Sequence, residues 1–143
     1  IDRGLISLQK SEPHHYLSKY HILAIISSYH CTAPSFEQTN WTGILREYDR
    51  FLTLDNSAII QLNRSIALAK VEGAALAIET LQAIKGLENY HLYYSISAEF
   101  HIELKNWQTA ISSLKKAESL AALTKERALI RARIDFCSKK LAN

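Results

Sequence analysis

Glycine is scarce in this chain of 143 residues: it occurs four times, at the widely separated positions Gly4, Gly43, Gly73 and Gly86. A phosphate-binding loop and a dinucleotide fingerprint each need several glycines within about eight residues, so neither can exist here. The G-x-S-x-G turn of the hydrolase elbow is also missing. Proline occurs twice, as Pro13 and Pro34, and so few breakers point to long helices with short turns rather than a sandwich or barrel. Two cysteines, Cys31 and Cys137, are too few for a disulfide framework. Both fall on apolar positions and are expected as buried thiols in a reducing compartment. No apolar run approaches the roughly 20 residues that a membrane span needs. The opening Ile1-Asp2-Arg3-Gly4 lacks the basic and then apolar order of a signal peptide. Methionine is absent altogether, and a natural reading frame would begin with one, so the chain is expected to be a piece of a longer protein.

What remains is apolar and periodic. Nearly half of the residues are hydrophobic and about a fifth are charged, ordinary values for a globular domain. A chain of this size can bury roughly 68–70% of its unfolded surface in one core. Trp41 and Trp107 are its two tryptophans, and they stand 66 residues apart, two steps of 33. A step of 33 lays Trp41-x-x-Ile44-Leu45-x-x-Tyr48-x-x-Phe51 over Ala74-x-x-Ala77-Ile78-x-x-Leu81-x-x-Ile84. A second step reaches Trp107-x-x-Ala110-Ile111-x-x-Leu114-x-x-Ala117. Apolar residues at i, i+3, i+4, i+7 and i+10 write one helical face three times.

A helical period in the low thirties is the signature of a tetratricopeptide-like solenoid. The fold expected is all-α, a right-handed α-solenoid of about three helix pairs plus a capping helix. Residues 1–13 read as the end of a preceding helix and a linker broken at Ser11-Glu12-Pro13, and 14–143 as a single helical domain. The pairs are expected at about 17–31 with 41–53, 56–71 with 74–84 and 89–104 with 107–120, closed by a helix over 124–141. Thr39 or Asn40 is placed to cap the helix that opens at Trp41, Asp55-Asn56-Ser57 to cap the next, and Thr124 to cap the last. The longest loop is expected from Thr32 to Asn40. Ala77, Ala110 and Ala117 stand where helices touch closely. Leu123, Ile130, Ile134, Cys137 and Leu141 form the stripe of the closing helix.

Six histidines raise the question of a metal, but none forms the H-E-x-x-H pair that sets two imidazoles on one helical face. His21 and His30 differ by nine positions, which turns them to opposite sides of a helix. No metal site, cofactor or catalytic group is expected. His14 and His15 read as solvated loop residues and His30 as a hydrogen-bonded residue at a helix end. Glu99 and Glu103, one turn apart, read as a solvated face. Asn63-Arg64 breaks an otherwise apolar helix: Asn63 could satisfy carbonyls of the loop over 32–40, and Arg64 could offer its fork to a partner's carboxylate. Arg46 and Arg50 are spaced to line a similar strip, and with Tyr20 these residues make up the candidate partner groove.

Charge is uneven. Residues 125–143 carry Lys125, Arg127, Arg131, Arg133, Lys139 and Lys140 against Glu126 and Asp135, a local +4 in a chain of net charge +3. A basic helix could touch nucleic acid, but these charges spread around it, Arg131 can pair with Asp135 at i,i+4, and no aromatics interleave for base stacking. A solvated capping face is the reading adopted, with direct DNA contact not expected.

Several strings are familiar together. Tyr20-His21-Ile22-Leu23-Ala24-Ile25-Ile26 is followed by His30-Cys31-Thr32-Ala33 and by Phe36-Glu37-x-Thr39-Asn40-Trp41. After these come Tyr48-Asp49, Leu62-Asn63-Arg64-Ser65-Ile66-Ala67 and Asn89-Tyr90-His91-Leu92-Tyr93. From about Leu5 to Ile134 this series resembles the C-terminal tetratricopeptide-like extension of a subfamily of extracytoplasmic-function RNA polymerase sigma factors. The family commonly has an acid where Asn40 stands and a polar residue where Leu23 stands. The resemblance implies a non-catalytic regulatory domain in the bacterial cytoplasm. Its expected partners are its own sigma regions, RNA polymerase or an accessory regulator. It also marks His30, Thr39, Asn40, Trp41 and Tyr48 as motif positions, beside Trp107 of the repeat. A free-standing adaptor that binds a peptide tail in its groove is the alternative, and a ligand-sensing or enzymatic helical domain is the third reading.

Overall fold

A computed structural model of the chain describes residues 11–33 and 38–143, the side chains of 11–18 and of Thr32 excepted. Over these residues it has seven helices and no strand: α1 (Ser11–Thr32), α2 (Trp41–Leu54), α3 (Ala58–Glu72), α4 (Ala74–Gln82), α5 (His91–Glu103), α6 (Trp107–Leu120) and α7 (Thr124–Ala142). The fold is all-α, as the periodicity requires. Helices α2, α4 and α6 open at Trp41, Ala74 and Trp107, the three positions that the 33-residue step superimposes. The expected end of a preceding helix and the segment around Pro34 lie outside the described residues. Helix α1 runs from Ser11 rather than from about residue 17. Pro13 therefore sits in a first turn, where its missing N–H has no intrahelical acceptor in any case.

The chain divides into two compact units, one ending at Ala67 and the other beginning at Leu68. In the first, α1 packs on α2. Their core holds Ile22, Ile26, Ile44, Phe51, Ile60 and Ala67, with Tyr29, Trp41 and Tyr48 packed against it. Asn40 caps α2, its Oδ1 accepting the Gly43 N–H at 3.0 Å. Gly43 is buried, and a Cβ there would stand 2.7 Å from Cζ of Tyr29, so glycine is what admits that ring. Ser57 caps α3 by accepting the Ile60 N–H.

In the second unit α4 packs on α5, α5 on α6 and α6 on α7. Ala98, Ala110, Ile111, Leu114, Ala117, Ala121, Ile130, Ile134 and Cys137 form the core, with Tyr94, Ile102 and Trp107 against it. Ala77, Ala110 and Ala117 are fully buried, as close helix contact demands. Gly73 and Gly86 take positive φ at the two ends of α4, and Lys105 does so in the turn into α6. Three expectations are corrected. The residue before α7 is Leu123, not Thr124, and Glu126 reaches back to accept the Leu123 N–H at 3.3 Å. Leu123 and Leu141 are exposed, because only Ile130, Ile134 and Cys137 of that stripe face α6. Cys31 is exposed while Cys137 is buried. No described helix is long and apolar enough to cross a membrane.

Candidate functional site

The residues singled out in the first unit are drawn into contacts within it. Arg64 donates from Nε to Oδ1 of Asp49. Arg50 donates from Nη1 to Oε1 of the buried Glu47 at 2.6 Å, and Arg46 reaches the Tyr29 hydroxyl at 3.5 Å. Each guanidinium thus already has a partner on its own unit. Asn63 is half-buried on α3. Tyr20 is 56% exposed and lines a shallow apolar recess with Lys19, Leu23 and Phe51. Lys19 is held by Asp55 at 2.9 Å. The motif positions pack on one another. His30, in the last turn of α1, meets Trp41 edge-on at 5.4 Å. Thr39 is buried beside the Asn40 cap. Tyr48 is half-buried, and desolvation pushes its phenol up from the ordinary value.

A longer recess lies in the second unit between α5 and α7. Two adjoining hollows share Ser95, Leu129 and Ile130 as floor and wall. Leu92 and Leu129 stand at the mouth, 40% and 66% exposed. A contact to a carboxylate brackets each end. At one, His91 Nε2 lies 3.5 Å from Oε2 of Glu126. At the other, Arg133 grips Glu99 through two parallel hydrogen bonds of 2.8 and 2.7 Å. That bidentate grip holds the guanidinium proton still more firmly than usual.

Beyond Arg133, and outside the recess lining, stands Phe136, which is 37% exposed. Trp107 meets Phe136 edge-on at 6.0 Å. The Arg133 guanidinium lies 4.7 Å from the Phe136 centroid and the Lys140 ammonium 5.5 Å from it. Sequence reasoning missed this exposed face of α7. Its signal was present, since Leu129 and Phe136 are apolar, seven residues apart, and off the core stripe of α7.

Ser95 and His91 lie one turn apart in the recess, and Nδ1 of His91 is buried with no hydrogen-bond partner. Among the described residues no three His, Cys, Asp or Glu side chains gather where they could hold a metal ion. Burial raises the Cys137 thiol above its ordinary range and keeps it neutral. Glu99, read from the sequence as part of a solvated face, is half of an interhelical clamp. Arg131 pairs with Glu118 across the α6–α7 interface at 2.8 Å, not with Asp135 on its own helix.

No protein-family model matches the chain. An uncharacterised protein of Rhizobium meliloti (strain 1021) is 29% identical to it over 143 residues, which make up 99% of this chain and 34% of that protein. The chain therefore spans about a third of the length of this relative. Among solved structures, the first TPR domain of the human RPAP3 protein, determined by NMR, superimposes with a TM-score of 0.66. Sequence identity there is 16%, covering 87% of this chain and 94% of that domain. At that identity the likeness is one of fold, and the fold is all-α and tetratricopeptide-like.

Proposed function

We propose that the chain is a protein-interaction domain and that, in its parent protein, it is the regulatory extension of an extracytoplasmic-function sigma factor. On this reading it works in the bacterial cytoplasm and modulates transcription initiation by contacting the sigma regions, RNA polymerase or an accessory regulator. The observation that carries the interaction reading is a tetratricopeptide-like fold with an apolar recess open between two of its helices. The sigma-factor reading rests on the motif series. Its strings meet in space in the first unit, His30 against Trp41 and Asp49 against Arg64. The relative in which the matched region is about a third of a longer chain fits a domain appended to others.

Two measurements test the proposal. The coding sequence upstream of Ile1 should encode sigma regions. The tagged chain should retain those regions or purified core polymerase in a pull-down. A stop codon immediately upstream, with neither protein retained, would leave the free-standing adaptor as the better account.

A further inference from the structure

Helix α7 carries two faces. One, Ile130, Ile134 and Cys137, is buried on α6. The other places Lys125, Leu129, Arg133, Phe136 and Lys140 within an arc of about 80° at 3.6 residues per turn, alternating cation and apolar group along the helix. Leu129 and Phe136 project from it about 10 Å apart, at 1.5 Å per residue, and both are more than a third exposed. Lys125 and Lys140 are exposed and form no ion pair among the described residues.

From this pattern we infer that the exposed stripe of α7, at the edge of the α5–α7 recess, docks an acidic amphipathic helix of a partner protein. Its apolar residues at i and i+7 lie against Leu129 and Phe136, and its carboxylates face Lys125 and Lys140. The inference rests on the interaction reading above and adds the chemistry of the partner. Leu129, Leu92 and the Phe136 ring ask for apolar anchors, and a spacing of about two turns is what one face of a helix supplies. Lys125 and Lys140, which have no carboxylate partner among the described residues, ask for acids. An uncompensated local excess of positive charge speeds encounter with a negative partner and rejects a positive one.

Two other occupants fit less well. A second copy of this chain would set lysine stripes of like charge against each other across a two-fold contact. Nucleic acid would find the arginines already committed: Arg133 to Glu99, Arg131 to Glu118, and Arg127 to the carbonyls of Ala121 and Ala122.

The test uses the full chain and a fluorescein-labelled helical peptide of about 15 residues, with leucines at i and i+7 and glutamates flanking them. Its counterpart carries lysine for every glutamate. Fluorescence anisotropy should show the acidic peptide binding at least about tenfold more tightly than the basic one. Leu129→Ser should weaken it about tenfold with the melting temperature unchanged, and Lys125→Glu with Lys140→Glu should reverse the charge preference. Equal binding of the two peptides, indifference to Leu129→Ser, or displacement of the peptide by a DNA duplex of about 20 base pairs would each overturn the inference. The pull-down separates its failure from that of the proposed function. Retention of the sigma regions or polymerase that Leu129→Ser leaves intact sinks the groove assignment alone. Acidic-peptide binding without retention of either protein sinks the sigma-factor reading alone.

Discussion

Asn40 does two jobs at one helix start. Its carboxamide oxygen accepts the Gly43 N–H, one of the four donors left open at the start of α2, and it turns the chain so that Trp41 begins the helix beside His30. Asn40→Ala should cost about 1 kcal/mol of stability and Asn40→Asp almost none. The midpoint of urea unfolding, followed by Trp41 emission in a Trp107→Phe background, reads both, and an unchanged midpoint in the alanine variant would show that the cap contributes nothing. His101 offers a second test at this scale. Burial lowers its pKa, and its Nδ1 is buried with no hydrogen-bond partner, so the folded chain favours neutral imidazole. A depressed folded value means that stability is full above the unfolded imidazole pKa of about 6.5 and is lost as pH falls through that value toward the folded one. His101→Leu should therefore flatten the fall in melting temperature between about pH 7.5 and 5.5. A slope equal to that of the parent chain would remove His101 from the acid sensitivity.

The elements show where a repeat pattern is informative and where it is silent. Helices α2, α4 and α6 start in register because the same apolar face must pack at the same place in each turn. The residues at i+3, Ile44, Ala77 and Ala110, are all fully buried. The pattern overran α4, which ends at Gln82, with Ile84 buried in the turn that follows. It also said nothing about the outward face of α7, because a period records what the core needs and not what is left exposed. Helix α7 nonetheless closes the second unit. A chain ending at Leu123 would bare the side of α6 that Ile130, Ile134 and Cys137 cover. Such a chain should lose the cooperative thermal transition of the second unit and associate in size-exclusion chromatography, since a helical stack needs a terminal cap. A truncated chain that melts as sharply as the parent would show α7 to be dispensable for folding.

For the whole molecule, the sequence by itself determined the class of fold, the places of the helices and two of their caps, Asn40 and Ser57. These are local properties: helical geometry ties i to i+3 and i+4, and a side chain one residue before a helix needs only that helix to cap it. Which polar side chains are satisfied within the chain was settled only by the tertiary structure. Arg64 finds Asp49 across 15 residues, Arg131 finds Glu118 across 13 and Arg133 finds Glu99 across 34. The sequence offered Arg64 to an outside partner and Arg131 to Asp135, because the rules that act along one helix were the ones available. Once helices pack, a guanidinium takes the carboxylate that the neighbouring helix brings within reach. That capture ties down the arginines and leaves Lys125, Leu129, Phe136 and Lys140 as the exposed stripe of α7, of which Leu129 lines the α5–α7 recess.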